Sequence, residues 1–147
     1  RCSRDWSSDV CSSDLGTPMD FREFKKIGEE IKADFPALNY GKGYDNCFMI
    51  NDYEAGQLQT AAQLYSPESG RQLEVLTTQP AVQIYTGNWL EGCPAGKCGR
   101  GYHDYEGVAI ECQHCPDSPN KPDYPTTVLC PGETFSEAII WAFSVRK

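Results

Sequence analysis

The chain has 147 residues and a formal net charge of -8 at pH 7. That length suits one domain, and an acidic chain without a basic cluster argues against nucleic acid and anionic membranes as partners. No apolar stretch is long enough to cross a bilayer, and no signal peptide is recognisable. We therefore expect a cytoplasmic protein, with a secreted or periplasmic location left open because the chain does not begin with Met.

The first fifteen residues differ in character from the rest of the chain. They are rich in Ser and Asp, and residues 5–15 can be back-translated into a common short-read sequencing adapter. We interpret residues 1–15 as a translated artefact and exclude them from the fold. Because they contain no apolar run, we expect them to be disordered. A natural Ser/Asp-rich linker is the alternative, and in both cases residues 16–147 form the domain.

The cysteines pose a choice between disulfides and thiols. The chain has eight, two of which lie in the excluded segment. An even count invites a disulfide framework, but long apolar strands can supply a core here and several cysteines lie within strand patterns. We therefore expect buried, reduced thiols. The cysteines of the domain are Cys47, Cys93, Cys98, Cys112, Cys115 and Cys130.

The first half of the domain predicts one short helix followed by strands. Residues 16–21 form an extended lead-in, and residues 24–35 have helical spacing, with two isoleucines four residues apart. Such a helix should end before Pro36, since the residue before a proline avoids the helical conformation. The rest of this half is predicted as a glycine-rich loop at 39–43, strands at 44–50, 58–65, 71–78 and 81–86, and a hairpin turn at 66–70.

The second half predicts a long loop and further strands. Residues 87–105 contain five glycines, and loops of that length are usually functional or mobile. A strand around Glu111 and a proline-rich loop up to residue 125 follow. The last strands are predicted at 126–129 and 134–145, the latter with Phe135, Ile139, Trp141 and Phe143 on one face. About seven short strands without βαβ alternation indicate a mainly β protein, an antiparallel β-sandwich.

Glu111 lies in the middle of its predicted strand. Since successive side chains alternate between the two faces of a strand, Glu111 shares its face with small or polar neighbours. Such a face meets water or a ligand, and from the pattern alone a solvated face is the more frequent outcome. The two predicted faces are Val108, Ile110 and Cys112 on one side, and Ala109, Glu111 and Gln113 on the other.

Several blocks of the sequence resemble the aldose 1-epimerases (galactose mutarotases). The resemblance covers nearly all of residues 16–147. Its main blocks are Gly-Tyr-Asp-Asn at 43–46, Thr-Thr-Gln-Pro-Ala-Val-Gln-Ile-Tyr-Thr-Gly-Asn at 77–88, and Glu-Cys-Gln-His-Cys-Pro-Asp-Ser-Pro-Asn at 111–120. It implies a β-supersandwich whose concave face holds a sugar. It also implies that this chain is only the C-terminal part, because the two catalytic-site histidines and the substrate-binding arginine of the family lie upstream.

The resemblance implies a role for three residues. Glu111 would be the general base that takes the proton from the anomeric hydroxyl, and Asp45 and Gln83 would bind sugar hydroxyls. The implied activity is an isomerase of hexose and galactose metabolism that interconverts the α and β anomers of sugars such as galactose and glucose. The mechanism requires no cofactor and no metal, and a Ca²⁺ ion is an open alternative that the sequence does not indicate. We expect the full-length protein to be a monomer and this fragment alone to be inactive.

Two departures and two alternatives accompany this interpretation. Asn46 replaces the histidine that usually follows the Tyr-Asp pair. The loop at 92–101 is atypical for the family, so the sequence does not assign the sugar specificity at the rim of the site. A non-catalytic carbohydrate-binding sandwich is the first alternative, and epimerases of phosphorylated hexoses share the fold. The second alternative is a zinc module, and its candidate ligands are Cys93, Cys98, Cys112, Cys115, His103 and His114.

His114 is a tempting acid/base partner for Glu111, because histidine most often fills that role. The two residues are three apart, however, and residues i and i+3 of a strand lie on opposite faces. We therefore interpret His114 as a structural histidine that points away from the site.

Overall fold

The computed structural model describes residues 2–4 and 14–146 and arranges them in two antiparallel sheets. One sheet has the strand order β1-β2-β5-β6 and the other has the order β3-β4-β7. The predicted mainly β, antiparallel fold is confirmed. The elements are β1 (Cys2–Arg4), α1 (Pro36–Gly41), β2 (Asp45–Ile50), β3 (Gln59–Tyr65), β4 (Arg71–Thr77), β5 (Ala81–Tyr85), β6 (Ala109–Gln113), a 3₁₀ turn (Ser118–Asn120) and β7 (Ile139–Val145).

The hydrophobic core lies between the two sheets. Phe48 of β2 and Val82 of β5 come from one sheet, and Val75 of β4 comes from the other, and all three are fully buried. Period-two alternation explains the set, since every second residue of these strands points to the same side. Ile110 and Cys112 of β6 pack against the same cluster, as the sequence predicts. The opposite face of the first sheet is thereby left for other contacts.

The predicted helix over residues 24–35 is wrong. This segment forms turns, and the helix begins at Pro36 instead. Phe35 precedes it in an extended conformation, which fits a residue before proline, and proline suits the first helical position because its missing N–H has no intrahelical partner. Ile31 is nevertheless buried in the core, so tertiary packing rather than a helical ladder holds this segment. Among the described residues, no helix is long and apolar enough to span a membrane.

The lead-in closes one side of the core with an aromatic cluster. The ring of Phe21 lies edge-on to Tyr44 at 5.0 Å and to Phe48 at 5.9 Å between ring centroids. The hydroxyl of Tyr44 donates a hydrogen bond to the carbonyl oxygen of Pro18 at 3.0 Å, and burial raises the pKa of Tyr44 to about 12. A buried phenol with a hydrogen-bond acceptor is stable in its neutral form, so this contact fixes the lead-in.

The strand predictions between residues 44 and 86 are confirmed within one or two residues, but those near the C-terminus are not. Residues 126–129 form no strand, and the last strand begins at Ile139 rather than at residue 134. Val128 and Leu129 are 67% and 54% exposed, and prolines at 125 and 131 bracket them. Strand propensity is a weak preference, and flanking prolines oppose a strand, so apolar composition alone does not form one here.

The N-terminal residues differ from the expected disorder where the structure describes them. Cys2–Arg4 pairs antiparallel with β2, with Cys2 opposite Ile50, and Asp14 is buried. Residues 1 and 5–13 lie outside the described residues. The interpretation of residues 1–15 as adapter sequence stays a prediction.

Candidate functional site

Asp45, Gln83 and Glu111 lie on three neighbouring strands and share one face of the first sheet. In the ladder, Gln83 is directly opposite Glu111 on one side and opposite Cys47 on the other. Asp45 lies two residues from Cys47 and therefore points to the same face. The side-chain amide of Gln83 donates a hydrogen bond to the Asp45 carboxylate at 2.8 Å. The structure thus brings together the three residues that the sequence predicts for the site.

This face forms an open cleft of about 450 Å³. Because β5 and β6 run antiparallel, the residues that follow them close opposite ends of the cleft, Trp89 after β5 and Pro116 after β6. Carboxylate and amide groups occupy the floor between these ends. The lining residues are Asp45, Gln83, Tyr85, Trp89, Glu111, Gln113 and Pro116.

Glu111 presents an exposed carboxylate at the centre of the cleft. Within residues 14–146, no hydrogen bond or ion pair engages that carboxylate, so it is available to accept a proton from a bound molecule. The side-chain amide of Gln83 lies next to Glu111. Its oxygen Oε1 is buried and has no hydrogen-bond partner among the described residues. An unpaired buried acceptor costs about 1–3 kcal/mol. The hydrogen bond to Asp45 therefore holds the amide in a defined but costly orientation.

A buried hydrogen-bond network positions Asp45 at the start of β2. Asn88 donates from Nδ2 to the carbonyl oxygens of Gly41 at 2.8 Å and Tyr44 at 3.0 Å. Thr86 donates from its hydroxyl to Asn88 Oδ1 at 2.6 Å, and the same hydroxyl accepts the Tyr44 N–H at 3.1 Å. These bonds join the segment after β5 to the residues just before β2. Fully satisfied buried networks are rigid, so the Asp45 carboxylate emerges from a fixed backbone.

Asn46, the departure from the family pattern, points away from the cleft and is buried. Its side-chain oxygen accepts the backbone N–H of Asp45 at 3.2 Å. Asn46 therefore makes a polar contact directly behind the cleft carboxylate.

The two histidines lie outside the cleft. Nδ1 of His114 is 2.9 Å from the side-chain oxygen of Gln79, which is buried. His103 lies in the exposed loop, where its backbone N–H donates to the Glu106 carboxylate at 3.2 Å. Neither histidine shares the cleft with Glu111, which agrees with the structural role expected for His114 from strand geometry.

The cysteines do not gather at one place. Cys47 and Cys115 are buried in a small cluster on the cleft side of the sheet, apart from the exposed Cys93, Cys98 and Cys130. The thiol of Cys112 is half-buried, and its desolvation raises its pKa. The expectation of buried thiols is wrong for Cys93, Cys98 and Cys130, which are exposed. Across the described ranges, no three His, Cys, Asp or Glu side chains are close enough to hold a metal ion.

Four residues line the cleft that the sequence did not single out as site residues. Tyr85 and Gln113 follow from alternation, since each lies two residues from a predicted site residue on the same strand. Trp89 and Pro116 lie in loops, where alternation has no meaning, and no sequence signal marks them. Only the opposite directions of β5 and β6 bring both residues to the cleft.

The fold and the cleft define a β-sandwich protein with a carboxylate- and amide-lined face. A sequence profile of the family described as aldose 1-epimerase matches residues 9–141. The chain belongs to the aldose 1-epimerase family. The matched range begins within the segment that we interpret as adapter sequence, and it includes Asp45, Gln83 and Glu111.

Individual relatives agree with this assignment. The galactose mutarotase of Rattus norvegicus is 36% identical over 130 residues, which cover 88% of this chain and 36% of the relative. The aldose 1-epimerase of Escherichia coli K12 is 39% identical over 137 residues, covering 92% of this chain and 39% of the relative. The crystal structure of an aldose epimerase homologue from C. elegans has a TM-score of 0.74 at 28% identity and covers 91% of this chain and 38% of that one. The chain therefore spans a little over a third of the length of these relatives.

Proposed function

We propose that this chain is the C-terminal part of an aldose 1-epimerase that interconverts the α and β anomers of galactose or glucose. The observation that carries the proposal is the convergence of Asp45, Gln83 and Glu111 on one cleft, where the Gln83 amide is bound to the Asp45 carboxylate at 2.8 Å. A hexose presents hydroxyl groups around its rim, and paired carboxylate and amide groups can accept from and donate to adjacent hydroxyls. Glu111 adds a base within the same cleft.

The proposed reaction opens and recloses the sugar ring. Glu111 removes the proton of the C1 hydroxyl, the C1–O5 bond breaks as C1 becomes a carbonyl, and O5 takes up a proton from an acid. Rotation about C1–C2 then exposes the other face of the carbonyl, and the steps run in reverse. The base and the acid each contribute roughly 10²–10⁴ in rate. No step calls for a metal or cofactor.

The acid for this reaction is not assigned to any residue of the cleft. Both histidines lie elsewhere, and the remaining lining groups are two carboxylates, two amides, a phenol, an indole and a proline. We therefore propose that residues 16–147 by themselves bind a sugar without measurable anomer exchange, and that the acid comes from the upstream part of a longer protein.

The experiment that tests the base is the substitution Glu111→Gln in a protein completed by its upstream sequence. Glutamine keeps the shape and hydrogen-bonding capacity of the side chain but cannot take up the proton. We expect the rate of mutarotation to fall by roughly 10²–10⁴, measured by polarimetry of freshly dissolved α-galactose. Since Glu111 is exposed, the melting temperature should stay unchanged.

Gln113→Glu is the matched control, because it alters charge on the same strand and in the same cleft without touching the proposed base. It should retain far more activity than Glu111→Gln. If Glu111→Gln keeps a rate within about threefold of the unmodified protein, well short of the loss that removal of a base produces, Glu111 is not the base.

The shorter chain provides a separate test. Residues 16–147, expressed with a solubility partner, should leave the optical rotation of α-galactose changing at the buffer rate. Clear catalysis above that rate would contradict the proposed need for an upstream acid. Sugar binding without exchange even in the completed protein would instead favour the non-catalytic carbohydrate-binding alternative.

A further inference from the structure

We propose that Trp89 is the platform on which the C–H face of the sugar packs. This inference rests on the proposed function, since it assumes that a hexose occupies the cleft. The side chain of Trp89 is 61% exposed, and it lines the same cleft as Gln83 and Glu111. It has no role in the reaction described above.

The polar floor of the cleft offers no contact for the apolar face of a sugar. The groups on its floor are polar, and they suit the hydroxyl rim of a sugar. A hexopyranose also has an apolar face formed by ring C–H groups, and in galactose the axial 4-hydroxyl leaves the hydrogens of C3, C4 and C5 on one face. An aromatic ring is the complement of such a face, because burying apolar area is favourable and the ring faces carry partial negative charge. Trp89 is the exposed aromatic residue of this cleft.

Contacts on the protein side hold the indole in position. The backbone N–H of Trp89 donates to the hydroxyl of Tyr85 at 3.0 Å. The ammonium of Lys42 lies 4.6 Å from the centroid of the Trp89 ring, which is a cation–π contact. Lys42 therefore covers one face of the ring, while the Trp89 side chain as a whole stays 61% exposed.

Lys42 is itself anchored from two directions. Its ammonium forms an ion pair with the Asp104 carboxylate, and the same carboxylate accepts the backbone N–H of Glu91 at 2.9 Å. The carbonyl oxygen of Lys42 accepts the hydroxyl of Tyr105 at 2.6 Å. These contacts tie the loop that bears Trp89 to the end of α1.

The backbone before Trp89 is equally constrained. Gly87 has a φ of +67°, and a Cβ at this position would lie 2.9 Å from the carbonyl oxygen of Gly107. The carbonyl oxygen of Gly87 also accepts the backbone N–H of Tyr105 at 2.9 Å. A ring that is already ordered loses little conformational entropy when a ligand binds. The backbone that presents the indole is therefore fixed before a ligand binds.

The test uses methyl β-galactopyranoside, a glycoside that cannot open its ring. Binding to the whole chain, carried on a solubility partner, is followed by saturation-transfer NMR. We expect transfer to be strongest at the hydrogens of C3, C4 and C5. Trp89→Ala should weaken binding about tenfold and Trp89→Phe by less than about threefold, since one stacked ring contributes about that much. Tyr40→Ala is the control, because Tyr40 is 89% exposed on α1 and lies outside the cleft. It should leave binding unchanged.

Three outcomes overturn the proposal. One is binding by Trp89→Ala that equals that of the unmodified chain, and another is transfer that favours the hydrogens of C1 and C2. The third is absence of any binding to the unmodified chain. None of these results depends on whether Glu111 is the base, because the glycoside cannot exchange anomers, and the rate of mutarotation judges that role separately.

Discussion

Two exposed faces of this molecule differ in chemistry and in support. The cleft face of β2, β5 and β6 exposes carboxylate and amide groups, and a buried network centred on Asn88 stands behind it. Strand β7 exposes apolar side chains instead, with Trp141 47% and Phe143 75% exposed. Polar groups that a rigid backbone holds in water are suited to bind a ligand. Apolar side chains that are exposed to water in a contiguous patch mark a surface that another part of a protein covers.

The pairing of β7 with β4 shows which side chains of β7 share a face with the core. Trp141 lies opposite Val75 and shares its face, and Phe143 lies opposite Leu73 in the same way. Val75 of β4 is fully buried, whereas the core cluster includes no residue of β7. The apolar side chains of β7 are therefore exposed. The predicted common face of Ile139, Trp141 and Phe143 is therefore correct. Phe135 precedes the strand, so its predicted place on this face is wrong.

The largest expected difference between the two regions concerns stability. Phe48→Ala removes a ring that is 1% exposed beneath the cleft, and we expect it to lower the free energy of unfolding by about 3–5 kcal/mol. Phe143→Ala removes a ring of the same size from β7 and should cost under about 1 kcal/mol. Urea unfolding of both variants measures the difference. Similar losses in the two variants would mean that β7 is packed in solution.

The support behind the cleft can be tested at a glycine. A Cβ at Gly43 would lie 2.5 Å from Oδ1 of Asn88, and its φ of +147° disfavours other residues. Gly43→Ala should therefore destabilise the chain by roughly 2–3 kcal/mol and displace Asp45. The matched control is Gly28→Ala, because a Cβ there meets no atom within 4 Å. It should be neutral or stabilising by up to about 1 kcal/mol. Equal melting temperatures for the two variants would contradict a rigid network.

The smallest effect concerns pH at the rim of the cleft. The hydrogen bond from Lys42 holds the pKa of the Asp104 carboxyl below its ordinary value. A carboxyl whose pKa is lowered in the folded state stabilises the fold above its unfolded pKa, about 4, and that contribution is lost as the pH falls further. The melting temperatures of the unmodified chain and Asp104→Asn should thus differ slightly at pH 7, and the difference should shrink as the pH falls below about 4. A gap that persists at low pH would show that the ion pair is not its cause.

The same comparison separates what the sequence determines from what it leaves open. Alternation along β6 is local, so the sequence alone assigns Glu111 and Gln113 to one face of the strand and Ile110 and Cys112 to the other. The structure agrees, because a strand with one buried face fixes its register through its apolar residues. The blocks shared with the aldose 1-epimerases likewise identify the family from local sequence.

Other features depended on contacts between distant segments. Residues 24–35 have helical spacing but form turns. Ile31 within this segment and Phe21 just before it pack against the hydrophobic core. Residues 126–129 have strand composition but lie outside both sheets. The exposure of Cys93, Cys98 and Cys130 follows from the loops that carry them, not from the residue type. Helix and strand propensities are worth less than about 1 kcal/mol per residue, and tertiary packing outweighs them in residues 24–35 and 126–129.

The cleft shows the division most clearly. The sequence by itself determined its floor, since alternation and the family blocks identify Asp45, Gln83 and Glu111. Only the tertiary structure decided its ends and its support, because Trp89 and Pro116 reach the cleft through the antiparallel pairing of β5 with β6, and Asn88 reaches Gly41 across 47 residues of sequence. Side-chain direction along a strand follows from backbone geometry alone. Contacts between loops require the three-dimensional path of the whole chain.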